Sequence, residues 1–566
     1  MKVNETKFEN FLKTPDTAFV IPVYQRNYDW GPLQCQQLFD DIITIGKSEH
    51  PSHFLGSIVY FLDDVYSQTS VKELMIIDGQ QRISTLTLLY AVLYRHAKSE
   101  GERSLSEQIH EQYLINKFAE NEKLKLKPTE NYKEALRWIL GENDEQPPDD
   151  CKHSRMIDNF NFFRKQINAD NFKTVRTGMS KLIIVDIALE RGKDDPQRIF
   201  ESINSTGLDL AQADLIRNYI LMQLEQKTQH EVFKTYWMPI ERNVVDETLL
   251  EKKKDERVKE SVSNFIRDYL TLKNRNIPKI GKVYAEFKDK VPTTNPPDEN
   301  LLQELKEYSE CYKNLLNPKY ENDTDIQRDL AYIKQLEVTV ANPFLMQVYL
   351  DFHKHVIDKE TFIAVLEFIQ TYVWRRLIGG YQTNALNKVF RSLYGDIDTT
   401  DYLRSLQIAI IRRAASEQMP TDEQIRIALK TKNVYDIHSR NRNYLFERLE
   451  NFDSKEKIPV TDKITTEHIF PQTPNEKWKL ALPDEWEYIH ENLLHTIGNL
   501  TLTGYNSELS NKSFVEKRDM DGGFKKSKFV FLNEDLKELD FWNKEQIEAR
   551  TQRLTERFLG CGRNYR

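Results

Sequence analysis

Cysteine is scarce in this chain, and what there is stands apart. Cys35, Cys151, Cys311 and Cys561 are scattered over 566 residues, so the sequence carries neither a disulfide framework nor a Cys-x-x-Cys metal cluster. Long apolar runs are missing as well. No stretch reaches the ~18 residues needed to span a bilayer, and the start Met1-Lys-Val-Asn4 lacks the apolar core of a leader. Both absences predict a cytoplasmic protein without membrane contact. A P-loop is excluded too. Gly46-Lys47-Ser48 imitates the end of one, but the glycine required five residues earlier is replaced by Asp41. Positive charge is not in excess either: 80 Lys and Arg against 88 Asp and Glu leave a net charge of −8. Any contact with nucleic acid must come from local patches. There is no internal repeat and no low-complexity segment.

The strongest positive signal lies near the C-terminal end. Glu467-His-Ile-Phe-Pro-Gln472 is followed by Ile497-Gly-Asn-Leu-Thr-Leu502, then by Asn506, Asn511, Phe514 and Lys517. Hydrolysing a phosphodiester requires a base to take a proton from water, which a neutral imidazole does near pH 7. His468 is the candidate base. The charge that builds on the phosphate calls for a hard cation, and Mg²⁺ binds through a few oxygens while keeping several waters. Glu467 and Asn506 offer such oxygens. The 500–505 run reads as strand then turn, delivering Asn506 to the start of a helix. Asn499 is a candidate for tying the loop backbone so that the imidazole faces the phosphate, although Asn after Gly498 also suits a plain turn. His490 and His495 lack an adjoining carboxylate and read as structural.

Two basic stretches flank this region. Residues 512–528 hold six basic and three acidic residues, and 426–448 hold six basic and two acidic residues. Asn511, Lys512, Lys517 and Arg518 are the expected DNA contacts.

A second constellation opens the chain. Ile21-Pro-Val-Tyr-Gln-Arg-Asn-Tyr-Asp-Trp30 precedes a strand candidate at 54–62 and then Met75-Ile-Ile-Asp-Gly-Gln-Gln-Arg-Ile-Ser-Thr-Leu86. Ile76 and Ile77 end a predicted strand, Asp78-Gly79 turn, and Ile83, Leu86, Leu89, Val92 and Leu93 line one face of a predicted helix. A turn feeding a helix N-terminus offers unpaired N–H groups to an anion, and Gln80, Gln81 and Arg82 add donors there. The expected nucleotide contacts are Gln25 and Arg26 from the first loop, Tyr24, Tyr28 or Trp30 for base stacking, Gly79 with the three donors, and Asp78 on a cation or ribose hydroxyl. A third block, Ile199-Phe-Glu-Ser-Ile-Asn-Ser-Thr-Gly-Leu-Asp-Leu210 with Asp214-Leu-Ile-Arg217, adds Asn204.

The C-terminal pattern resembles the HNH (ββα-metal) nucleases, which supplies the roles of His468, Glu467, Asn499 and Asn506. Many of these carry zinc on paired cysteines; with none here, no zinc is expected. The three N-terminal blocks resemble the ParB/sulfiredoxin-like NTPase domain of the GmrSD-type, modification-dependent (type IV) restriction proteins. The resemblance covers roughly 1–225 and 426–566. It implies an α+β multidomain protein: a ParB-like nucleotide-binding and DNA-sensing α/β domain at 1–225, a helical spacer at 226–425, and an HNH nuclease with surrounding helices at 426–566. The expected activity is NTP-hydrolysing, Mg²⁺- or Mn²⁺-dependent cleavage or nicking of modified phage DNA, driven by GTP, ATP or UTP, with a homodimer allowed. The alternatives are a phosphorothioate-sensing nickase of a backbone-modification system, and a nucleotide-regulated nucleic-acid-binding protein that does not cut.

Overall fold

The computed structural model describes the chain except residues 63–70, 118, 120–122, 142–145, 150, 153, 191–192, 205–209, 223, 225, 246–253, 291–297, 462 and 562–566. The chain divides into two compact units. One comprises Met1–Pro239 and Gly281–Gln303, the other Ile240–Ile280 and Glu304–Arg566, so the 226–425 stretch is shared between them.

The first unit is built on a mixed six-stranded sheet. Its strands are β1 (Lys2–Lys7), β2 (Thr17–Val20), β3 (His53–Leu62), β4 (Lys72–Asp78), β5 (Leu126–Lys127) and β6 (Leu182–Leu189), in the order β1-β6-β3-β4-β2-β5. β1 and β4 run antiparallel to their neighbours β6 and β3, whereas β3–β6, β2–β4 and β2–β5 pair in parallel. Alternate residues of a strand share a face. Ile58 and Tyr60 of β3, Leu74 and Ile76 of β4, and Leu182 and Ile184 of β6 accordingly enter one core with Ile83, Leu86, Leu89 and Leu93. Those last four repeat at helical spacing on the helix Gln80–Ser99. β4 passes into this helix through Gly79, whose φ of +93° is a left-handed conformation that glycine adopts without strain.

The second unit is mostly helical. Its long helices include Lys254–Asn274, Asn342–His353, Lys359–Ile378 and Ser439–Asn451. The helix Lys359–Ile378 is capped by Asp358, whose carboxylate accepts the Thr361 N–H at 2.8 Å, and it buries Phe362, Val365, Leu366, Phe368, Ile369 and Val373. In the same unit β7 (Thr465–His468) and β8 (Leu500–Thr503) form a two-stranded antiparallel ribbon with His468 opposite Leu500 and Glu467 opposite Thr501. The short helix Asn506–Leu509 follows β8. An isolated ribbon is marginal in water. This one sits beside a core of Ile469, Phe470, Trp478, Phe514, Trp542 and Ile547. Among the described residues no helix is long and apolar enough to cross a membrane.

Candidate functional site

The ribbon is fixed from behind by Asn499. Fully buried, its Oδ1 accepts the Phe470 N–H (2.8 Å) and the Trp542 indole N–H (3.1 Å), while its Nδ2 donates to the carbonyls of Phe470 and Leu494, both at 2.9 Å. Every polar atom of this amide therefore serves the loop after β7 and the turn before β8. The side chain thus ties these two stretches of backbone together. Arg550 reinforces the turn, donating to the carbonyls of Ile497 (3.2 Å), Gly498 (2.8 Å) and Leu500 (2.8 Å).

Glu467 and His468 are both buried at the end of β7. The Lys517 ammonium donates to Glu467 Oε1 at 2.6 Å and to the carbonyls of His468 (2.8 Å) and Ile469 (3.3 Å). Burial outweighs pairing in this couple: it pushes the Glu467 carboxyl up, with Lys517 opposing, and the Lys517 ammonium down, with Glu467 opposing. Burial first, then the nearness of His495, Lys517 and Arg442, pushes the His468 imidazole down to about 3. Burial thus favours the uncharged ring. Its Nε2 lies 3.0 Å from His495 Nδ1, and its Nδ1 lies 3.3 Å from the Gln472 amide nitrogen.

Asn506 arrives from the short helix that follows β8. Its Nδ2 donates to Thr465 Oγ1 (3.1 Å) and to the Thr466 carbonyl (2.8 Å). Thr465 and Glu467 share a face of β7, so Asn506 is pinned on the side from which Glu467 projects. Neither Asn506 Oδ1 nor Glu467 Oε2 accepts a hydrogen bond among the described residues. One carboxylate oxygen and one amide oxygen suit a cation that takes few protein ligands and keeps water, as Mg²⁺ does. Clusters of three His, Cys, Asp or Glu that would suit zinc are absent among the described residues.

The expected DNA contacts divide. Asn511 and Lys512 are exposed. Lys517 and Arg518 turn inward: Lys517 is wholly buried on Glu467, and Arg518 is held by Asp519 (2.7 Å), Asp540 (2.8 Å) and the Leu539 carbonyl (2.6 Å). Their charges are answered within the protein instead of facing a phosphate. Sequence reasoning set His495 aside, yet it touches His468; nothing in their 27-residue separation signals that contact.

In the first unit the three N-terminal blocks meet. Gln25 Nε2 donates to the Ile77 carbonyl (2.8 Å). Gln81 Oε1 accepts the N–H groups of Asp29 (2.7 Å) and Trp30 (3.2 Å), and its Nε2 donates to the Asn27 carbonyl (3.1 Å). Arg217 Nε donates to the Tyr24 carbonyl at 3.0 Å and its guanidinium pairs with Asp214 at 2.7 Å. Gln25 and Gln81 thus act as ties, and the Tyr24 ring is buried, which withdraws it from base stacking. Arg26, Trp30, Asp78 and Arg82 keep partly exposed side chains, Gln80 is buried, and Gly79 forms the turn. Arg82 Nη2, in the first turn of the helix, donates back to Asp78 Oδ2 at the end of β4 at 3.0 Å. Asn204 ends the helix Pro196–Asn204; its side chain, and the rest of the third block through Asp209, lie outside the described residues.

Two family models match the chain: GmrSD restriction endonuclease, N-terminal domain, over residues 8–221, and GmrSD restriction endonucleases, C-terminal domain, over residues 419–557. Both sites fall inside the matched ranges. No curated protein matches the chain. Together the two domains take in more than half of the sequence, and the chain belongs to the GmrSD restriction endonucleases.

Proposed function

We propose that this restriction endonuclease cuts modified foreign DNA, phage DNA above all, by metal-dependent hydrolysis of an HNH type at the β7–β8 ribbon, under control of a nucleoside triphosphate bound by a ParB-like first unit. The observation that supports the nuclease reading is the placement of the His468 imidazole at the end of β7, next to a Glu467 carboxylate fixed by Lys517 and on a strand that also anchors Asn506. His468 takes the proton of the attacking water, and the 3′ or 5′ oxygen leaves as the phosphodiester opens. Glu467 and Asn506 would hold Mg²⁺ or Mn²⁺, which supplies positive charge against the phosphate as negative charge builds. Asn499 keeps the loop and Lys517 the carboxylate in place. No zinc is required.

In the first unit, the turn at Gly79 presents the unpaired N–H groups of a helix start, with Arg82 as the phosphate partner and Asp78 for a cation or sugar hydroxyl. The test uses matched phage DNAs that differ only in modification, incubated with protein, Mg²⁺ and each of GTP, ATP and UTP. Cleavage confined to modified DNA and requiring a triphosphate is the expected result. Equal cleavage of both DNAs without nucleotide would remove modification sensing and nucleotide control, and no cleavage of either would remove the nuclease reading.

A further inference from the structure

The structure surrounds the His468 ring with partners on both nitrogens, and they are not equivalent. The Gln472 amide nitrogen, 3.3 Å from His468 Nδ1, can only donate, so Nδ1 must carry a lone pair. The ring proton then sits on Nε2 and points to His495 Nδ1, 3.0 Å away. His495 is itself held in place. Its ring stacks on Tyr435 with centroids 5.4 Å apart and planes 16° from parallel, and its carbonyl accepts the Val434 N–H at 2.9 Å. Tyr435 also packs on His468, centroids 4.5 Å apart. Arg442 covers the Tyr435 ring at 4.5 Å and donates to Thr466 Oγ1 of β7 at 2.9 Å. Three separate segments thus build one stack around the imidazole pair.

We propose that His495 is a positioning residue for cleavage: it accepts the Nε2–H of His468, fixing the tautomer whose unprotonated Nδ1, which accepts the Gln472 amide in this structure, takes the proton of the attacking water when that amide gives way to it. This rests on the reading of His468 as the base. It assigns His495 an orienting task like that of the groups that fix the tautomer of catalytic and metal-bound histidines. In the reaction the water proton passes to Nδ1 while the Nε2–H stays donated to His495, so His495 gains and loses nothing.

Two substitutions separate the acceptor from the ring. His495→Phe keeps an aromatic face against Tyr435 and removes the acceptor; His495→Asn returns an amide oxygen near the Nδ1 position without the ring. With full-length protein, Mg²⁺ and supercoiled plasmid, His495→Phe should lower kcat about 10- to 100-fold with KM for DNA unchanged, the range for groups that orient others. His495→Asn should recover most of that loss. In ¹⁵N-histidine spectra the resonance removed by His468→Ala should report the Nε2–H tautomer in the parent and a mixture of tautomers in His495→Phe. Folding is checked by thermal unfolding of each variant. Parental kcat in folded His495→Phe, or equal losses in both variants with an unchanged tautomer, would overturn the proposal. His468→Ala run alongside keeps the two readings apart. If it cuts like the parent, the base assignment itself fails. If it is inactive while His495→Phe is fully active, only the role of His495 falls.

Discussion

Lys517 shows how much a single side chain does at this site. Among the described residues it alone donates to the Glu467 carboxylate, and it does so from a fully buried position while also holding two carbonyls of the β7 loop. Removing one member of a buried ion pair leaves the other charge uncompensated, a cost of about 3–5 kcal/mol. Lys517→Met should therefore lower the unfolding temperature of the second unit by several degrees and abolish nicking. Differential scanning calorimetry checks this, and an unchanged transition would mean that the pair is worth little. In the first unit the Asp78–Arg82 pair is the corresponding test. Hydrogen bonds to charged groups are worth about 1.5–3 kcal/mol each, so Arg82→Ala or Asp78→Ala should weaken nucleotide binding roughly 10- to 100-fold. Titrating nucleotide into each folded variant measures it. Parental affinity in both would reduce Asp78-Gly-Gln-Gln-Arg82 to a helix cap.

Among the elements, the helix Lys544–Gly560 is the brace of the ribbon. A Cβ on Gly498 would lie 2.2 Å from both the Ile547 carbonyl oxygen and Thr551 Oγ1, so Gly498→Ala must push this helix off the turn that carries Asn499. Cleavage should fall together with thermal stability, whereas Asn499→Asp at the same turn should test the amide bonds without the clash. A second element-scale prediction concerns the helix Lys254–Asn274. Burial pushes its Asp268 carboxyl up to about 7, against Arg267 and the hydrogen bonds from Tyr312 and Asn342. The folded state keeps a proton that the unfolded chain has already released, so the stability this group provides is full below about 4 and lost as pH rises to about 7. Asp268→Asn should raise the unfolding temperature at pH 8 and change it little at pH 4. Equal effects at both would refute the buried carboxyl's role.

How far these elements were legible follows from what kind of contact makes them. The passage from β4 through Gly79 into the helix Gln80–Ser99 could be read because an apolar run ends at the Asp78-Gly79 turn and helical apolar spacing begins at Ile83. The delivery of Asn506 to a helix start was readable because the 500–505 run reads as strand then turn. The bonds of Lys517 to Glu467 and of His495 to His468 were not, since they join residues 50 and 27 positions apart whose types carry no pairing code. Gln81 was misjudged as a phosphate donor because a polar side chain at a helix start looks the same whether it faces solvent or ties a loop. β2 and β5 left no clear signal because they are short, and β1 left none because it is polar and exposed.

On the scale of the whole molecule, the two proposed sites fall in separate compact units, His468 in one and the turn at 78–82 in the other. Each should therefore fail alone. The measurement that tests this most directly follows nicking of supercoiled plasmid with Mg²⁺ and NTP hydrolysis side by side in parent and His468→Ala protein. Loss of a general base costs about 10²–10⁴-fold, so His468→Ala should lose nicking by that factor while hydrolysing NTP at the parental rate. Parental nicking by a folded His468→Ala protein would contradict the account at its centre.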